Sequence, residues 1–106
     1  MTNQEVKKVL KLTLKKKWFD LMSLGVKKIE FRDPSDWIFS RLLDENSNEK
    51  EYDLIEFKNG YGTNAPSFLC EFLGWDIEEK QTEYIFGSVK IISEVGTIKI
   101  FLGKIL

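Results

Sequence analysis

From Tyr52 to the C-terminus the chain is written as strands and turns, and that run constrains the fold more than any other feature of the sequence. Tyr52–Lys58 ends on Asn59-Gly60-Tyr61-Gly62, and Pro66 precedes Ser67–Trp75. Tyr84–Ser93 is then separated by Glu94-Val95-Gly96 from Thr97–Leu106. Asn-Gly is a strong hairpin signal because both residues accept positive φ. Gly87 and Gly103, set inside apolar strand patterns, point to bulges or barrel corners, and Trp75–Glu83 reads as an acidic loop. Helical periodicity is confined to the first 43 residues. Val9–Leu14 alternates, with Leu10, Leu12 and Leu14 on one face, and predicts a central strand. Trp18, Leu21 and Met22 share a helical face that Gly25 terminates. Asp33 is placed to cap a second helix, with Pro34 at its first position and Asp36 in its first turn, running to about Leu43. Two early helices and at least five strands predict a loose segment over residues 1–8 and one α+β domain over 9–106, a small, strongly bent mixed β barrel.

The chain has no histidine and a single cysteine among 106 residues. Ser-His-Asp and Cys-His catalysis are therefore excluded, as are the usual zinc ligand sets. Proton transfer would fall to Asp, Glu, Lys, Tyr or a hydroxyl. Cys70, in the apolar run Ser67-Phe68-Leu69-Cys70, reads as a buried structural thiol. No metal or cofactor is expected. Net charge is −1, but residues 1–43 hold ten Lys/Arg against five Asp/Glu, and the remainder holds six against twelve. A basic first half suits phosphate, while the overall balance argues against non-specific nucleic-acid affinity. No apolar run reaches membrane-spanning length and the first residues lack the apolar core of a signal peptide, so a cytoplasmic monomer or weak dimer is the expectation.

The densest chemistry lies in Gly25-Val26-Lys27-Lys28-Ile29-Glu30-Phe31-Arg32. Strand alternation over Lys27–Arg32 puts Lys28, Glu30 and Arg32 on one face and Lys27, Ile29 and Phe31 on the other. Such a face is either a solvated edge that resists aggregation or the mouth of a pocket. Lys15, Lys16 and Lys17 stand at a helix N-terminus, against the macrodipole; they either fray into solvent or surround an anion. Trp37 and Arg41, four apart, can stack or contact a ligand together. Glu71 is a lone acid among Phe68, Leu69, Cys70, Phe72 and Leu73. It points outward, or sits in a barrel interior with a raised pKa suited to acid–base work. Asp44–Asp53 reads as an exposed acidic loop, mobile or able to meet a basic protein partner.

A strand and short helix followed by Gly25-x-Lys27-x-x-Glu30-x-Arg32, then Trp37 and Arg41-Leu42, resembles the ASCH domain, a branch of the PUA-like barrels. Glu56-Phe57-Lys58-Asn59-Gly60-Tyr61, Pro66, Glu71 and Phe101-Leu102-Gly103-Lys104-Ile105 resemble its small single-domain members from bacteria and phages. The resemblance implies a barrel with a cleft beside the two early helices, binding RNA or a modified nucleoside. In a binding module Lys15, Lys16, Lys17, Lys27, Lys28, Arg32 and Arg41 would meet phosphate, and Trp18, Trp37 or Tyr61 would stack a base. Glu30 would accept from an exocyclic amine, with Asn59 also in the ligand-binding set. One branch of the family hydrolyses the acetyl amide of N4-acetylcytidine through a lysine, a threonine and a glutamate. Lys27 falls on that lysine, Glu30 stands where the branch has threonine, and Glu71 is the match for its glutamate. An amidohydrolase using Lys27, Glu30 and Glu71 is thus the alternative expectation.

Overall fold

The computed structural model describes residues 7–106; residues 1–6, most of the segment expected to be loose, lie outside the described residues. Lys8 is held at its main chain, its N–H donating to Asp53 Oδ2 at 2.9 Å and its carbonyl accepting from the Asp53 N–H at 2.9 Å. The alternating leucines form β1 (Val9–Leu14) and are buried on one side of it. α1 (Lys16–Ser23) follows and is closed at Gly25, whose φ of 76° permits a Schellman turn. In that turn the Gly25 N–H reaches the Met22 carbonyl at 3.0 Å and the Val26 N–H reaches the Leu21 carbonyl at 3.1 Å. β2 covers only Ile29–Arg32.

α2 spans Asp36–Leu42, and its cap is Ser35 rather than Asp33. Ser35 takes the extended backbone of a cap, and its hydroxyl accepts from the Ile38 N–H at 3.2 Å. That leaves Pro34 outside the helix, one residue before the cap. The acidic segment that follows is exposed but is a fixed turn. Asp44 Oδ1 accepts from the N–H groups of Asn46 at 2.8 Å and Asn48 at 3.0 Å, and the Lys50 N–H returns to the Leu42 carbonyl at 2.9 Å.

β3 (Leu54–Asn59) and β4 (Ser67–Ile77) pair antiparallel. Asn59-Gly60 does not make a two-residue hairpin: Asn59 is still in the strand and its N–H bonds the Pro66 carbonyl at 2.9 Å, so residues 60–66 form the connection. The expected loop from Trp75 begins instead as strand, because β7 (Ile98–Ile105) supplies partners for Trp75, Asp76 and Ile77. The single strand expected over Tyr84–Ser93 is a hairpin of β5 (Thr82–Phe86) and β6 (Val89–Ser93). Gly87, at φ 61°, opens its two-residue turn, the glycine-first pattern that matches strand twist.

The result is an α+β fold, a curled half-barrel of five strands in the order β1-β3-β4-β7-β2 with two helices. β1 is an edge strand, not a central one. The chain crosses from β1 through α1 to the far edge, where β2 pairs with β7, and only then returns through α2 to lay β3 parallel to β1. Inside the curl lie Leu12, Ile55, Phe57, Cys70, Ile98 and Ile100. α1 adds Met22 and the Phe19–Phe68 edge contact, and α2 adds Ile38 and Leu42. The β5–β6 hairpin lies against the outer face of β2, where Tyr84 and Phe86 meet Phe31 with ring centroids 5.2 and 6.1 Å apart.

Candidate functional site

The unclosed seam between β1 and β2 is the candidate site. The Schellman turn after α1 delivers Lys27 to the base of this seam, before regular strand begins, so alternation does not govern it. Lys27 and Glu30, which alternation would separate, therefore meet. Both are buried, Lys27 to 3% and Glu30 to 5% exposure. Lys27 Nζ donates to the Ile29 carbonyl at 2.5 Å and lies 3.5 Å from Glu30 Oε1. Arg32, on the same strand face as Glu30, donates from Nε to Glu30 Oε2 at 2.8 Å. Its Nη2 reaches across the seam to the Thr13 carbonyl of β1 at 2.8 Å. A side chain thus spans the gap that a barrel would close with a backbone ladder.

Burial pushes the Lys27 ammonium below its ordinary pKa, and the Glu30 carboxylate recovers only part of the shift. Aromatic faces share that burial, with the rings of Phe31, Trp18 and Phe86 at 5.3, 5.5 and 6.0 Å from Nζ. Such faces attract a cation that has lost water.

A cleft of about 490 Å³ opens above this cluster, walled by the end of β1 (Thr13, Leu14), Lys15, Trp18, β2, Asp33 and Ile91. Five residues singled out from sequence line it: Lys15, Trp18, Lys27, Glu30 and Arg32. Lys17 stands beside it with Nζ 4.8 Å from the Trp18 ring, and Lys16 pairs with Asp20 at 2.6 Å. The others lie elsewhere. Trp37 and Arg41 stack on each other at 4.9 Å on the exposed side of α2. Asn59 ends β3, and Tyr61, 88% exposed, is in the connection that follows. Glu71 takes the outward alternative: it is exposed on β4, with Oε1 accepting from the Lys104 N–H at 2.8 Å, and it does not join Lys27 and Glu30.

Sequence reasoning missed the cleft-lining Thr13, Phe31 and Ile91, which it placed in strands, and Asp33, whose carboxyl it assigned to a helix cap. It also missed a second buried cluster. Glu78, 5% exposed, accepts from Tyr84 at 2.8 Å and Thr82 at 3.2 Å, and Lys99 Nζ lies 3.4 Å away. Burial works to raise its pKa, but the hydrogen bonds from Tyr84 and Lys99 and the Lys99 charge overcome this and hold the carboxyl below the usual range. The cluster fastens β5 to the end of β4 and to β7 and so holds the hairpin that carries Ile91 to the cleft and Phe86 to Lys27.

The arrangement offers an aromatic face, cationic donors and a carboxylate already committed to Arg32 and Lys27. Among the described residues no three His, Cys, Asp or Glu side chains form a metal-ligand group, and no helix is long and apolar enough to cross a membrane. Comparison with protein-family models, curated proteins and solved structures gave no match.

Proposed function

We propose that the protein is an ASCH-like, PUA-like domain that binds a nucleobase in its seam cleft, as a modified nucleoside or as an exposed position of an RNA strand. One observation carries the reading: the Trp18 ring, Lys15 and the Arg32–Glu30–Lys27 cluster converge on one cleft from separate stretches of chain. An indole face takes any base by stacking, and flanking cations favour a phosphate-bearing ligand without making the whole protein basic. Glu30, braced on both oxygens, holds the cationic groups in place and keeps lone pairs for an exocyclic amine. The test is a titration of purified protein with nucleosides, nucleoside monophosphates and short single-stranded RNA, followed by tryptophan fluorescence. Trp18→Ala is expected to weaken binding by about 1–3 kcal/mol. Unchanged affinity in that variant counts against the cleft.

A second reading, hydrolysis of an acyl amide on the base, draws on Lys27, whose lowered pKa beside Glu30 suits oxyanion stabilisation or proton transfer. It is the weaker reading because Glu71, the other carboxylate expected to take part, does not line the cleft. Incubation with N4-acetylcytidine and mass spectrometry of the product decides it. Deacylation that disappears in Lys27→Ala supports the enzyme, and recovery of intact substrate rejects it.

A further inference from the structure

The hydrogen-bond register of β2 leaves one residue's main chain open on the cleft wall. In an antiparallel pair, alternate residues bond the neighbouring strand and those between face away from it. The Leu102 N–H donates to the Lys28 carbonyl at 3.0 Å, which puts Lys28, and with it Glu30 and Arg32, on the β7 side. Ile29 and Phe31 must then direct their N–H and C=O groups away from β7, into the seam. The Ile29 carbonyl confirms the direction, since Lys27 Nζ caps it there. On the opposite edge, the Thr13 carbonyl is taken by Arg32 Nη2.

Side chains therefore occupy the neighbouring edge carbonyls on both sides, and Phe31 keeps its N–H and C=O together, facing the cleft that it lines. An edge strand normally recruits another strand through a row of free groups, but here the Ile29 and Thr13 carbonyls are capped, and among the described residues of β2 Phe31 is the one on this edge left with both donor and acceptor. We propose that the Phe31 main chain reads the ligand, pairing with a planar group that offers an acceptor and a donor side by side, the edge of a cyclic amide or amidine. This rests on the cleft reading above and deepens it: Trp18 supplies stacking for any ring, and Phe31 selects rings with an unsubstituted amide edge.

The experiment uses isotope-labelled protein, amide hydrogen exchange and two probes of similar shape, uracil and 1,3-dimethyluracil, the second having no N–H donor. In the free protein the Phe31 amide is expected to exchange fast while those of Glu30 and Arg32 are protected. Uracil is expected to slow Phe31 exchange and shift its amide resonance. Dimethyluracil is expected to bind about tenfold more weakly, the loss that goes with one hydrogen bond, and to leave Phe31 exchange unchanged. If tryptophan fluorescence reports equal binding of both probes and Phe31 exchange does not move, main-chain reading is overturned while the cleft stands. If neither uracil nor any nucleoside perturbs the cleft residues, the nucleobase reading fails and this inference with it. Slowed Phe31 exchange produced by an unstructured peptide and not by uracil would make the seam a strand-docking edge and overturn the proposal.

Discussion

Glu30 is the residue on which the site depends. One buried carboxylate faces two cations, so its removal leaves Lys27 and Arg32 without their common partner in a low-dielectric setting. Breaking a buried pair in this way costs about 3–5 kcal/mol, and urea denaturation of Glu30→Ala is expected to show a loss of that size. Most of the loss should persist in high salt, which screens buried pairs poorly. Cys70 is the opposite case, a residue whose chemistry is switched off. Burial and the neighbouring Glu71 push its thiol up to about 11, so the reactive thiolate is scarce at neutral pH. The folded protein is expected to resist thiol-reactive dye, with labelling appearing only as the core opens. Rapid labelling without denaturant would show that the β3–β4 side of the barrel breathes.

Among the elements, the β5–β6 hairpin stands apart: a two-stranded sheet of its own, held to the half-barrel by aromatic contacts and by Glu78. Its anchor is pH-sensitive in one direction. The folded-state pKa of Glu78 lies below the ordinary 4.5, so its stabilisation is complete above that value and is lost as pH falls through the depressed folded-state pKa. Denaturant melts at pH 7 and pH 3.5 are expected to show a smaller acid-induced loss for Glu78→Gln than for the parent protein. Equal losses would assign the acid sensitivity to other carboxylates. The β4–β7 pair depends on Gly103 through space rather than backbone angle. Gly103 faces Glu71 at the register shift between Cys70 and Phe72, where a Cβ would lie 2.9 Å from the Glu71 Cβ, closer than real Cβ contacts. Gly103→Ala is expected to cost about 1–3 kcal/mol, the usual range for overpacking, measured by thermal or urea unfolding.

At the scale of the molecule, the strand inventory was legible and its arrangement was not. Alternation found β1 to the residue and strand types placed β3, β4 and β7, because one-sided burial imprints a period of two on sequence. Gly25 announced the end of α1 for an equally local reason. Apart from the α2 cap, a local misplacement by two residues, the errors share a cause: each concerned how segments sit across the sheet. β1 was read as central, and β2 was given two extra residues, Lys27 and Lys28, and a face for Lys27. Trp75–Ile77 was read as loop although β7 makes it strand, and Gly87-Ser88 was passed over as the hairpin turn. Of the candidate site, Lys15, Trp18, Lys27, Glu30 and Arg32 could be named in advance, since charge and aromatic character are visible in a string of letters. Trp37, Arg41, Asn59, Tyr61 and Glu71 look no different there, and only packing separates them from the cleft. By itself the sequence determined an α+β chain with early helices, a strand-rich second half, a buried inert thiol and the identities of Lys27, Glu30 and Arg32 as site residues, all matters of local period and residue chemistry. Tertiary structure alone decided that the sheet stops short of closure, that Arg32 spans the gap, and that Phe31 is left facing it, because hydrogen-bond register belongs to pairs of strands and not to either strand's sequence.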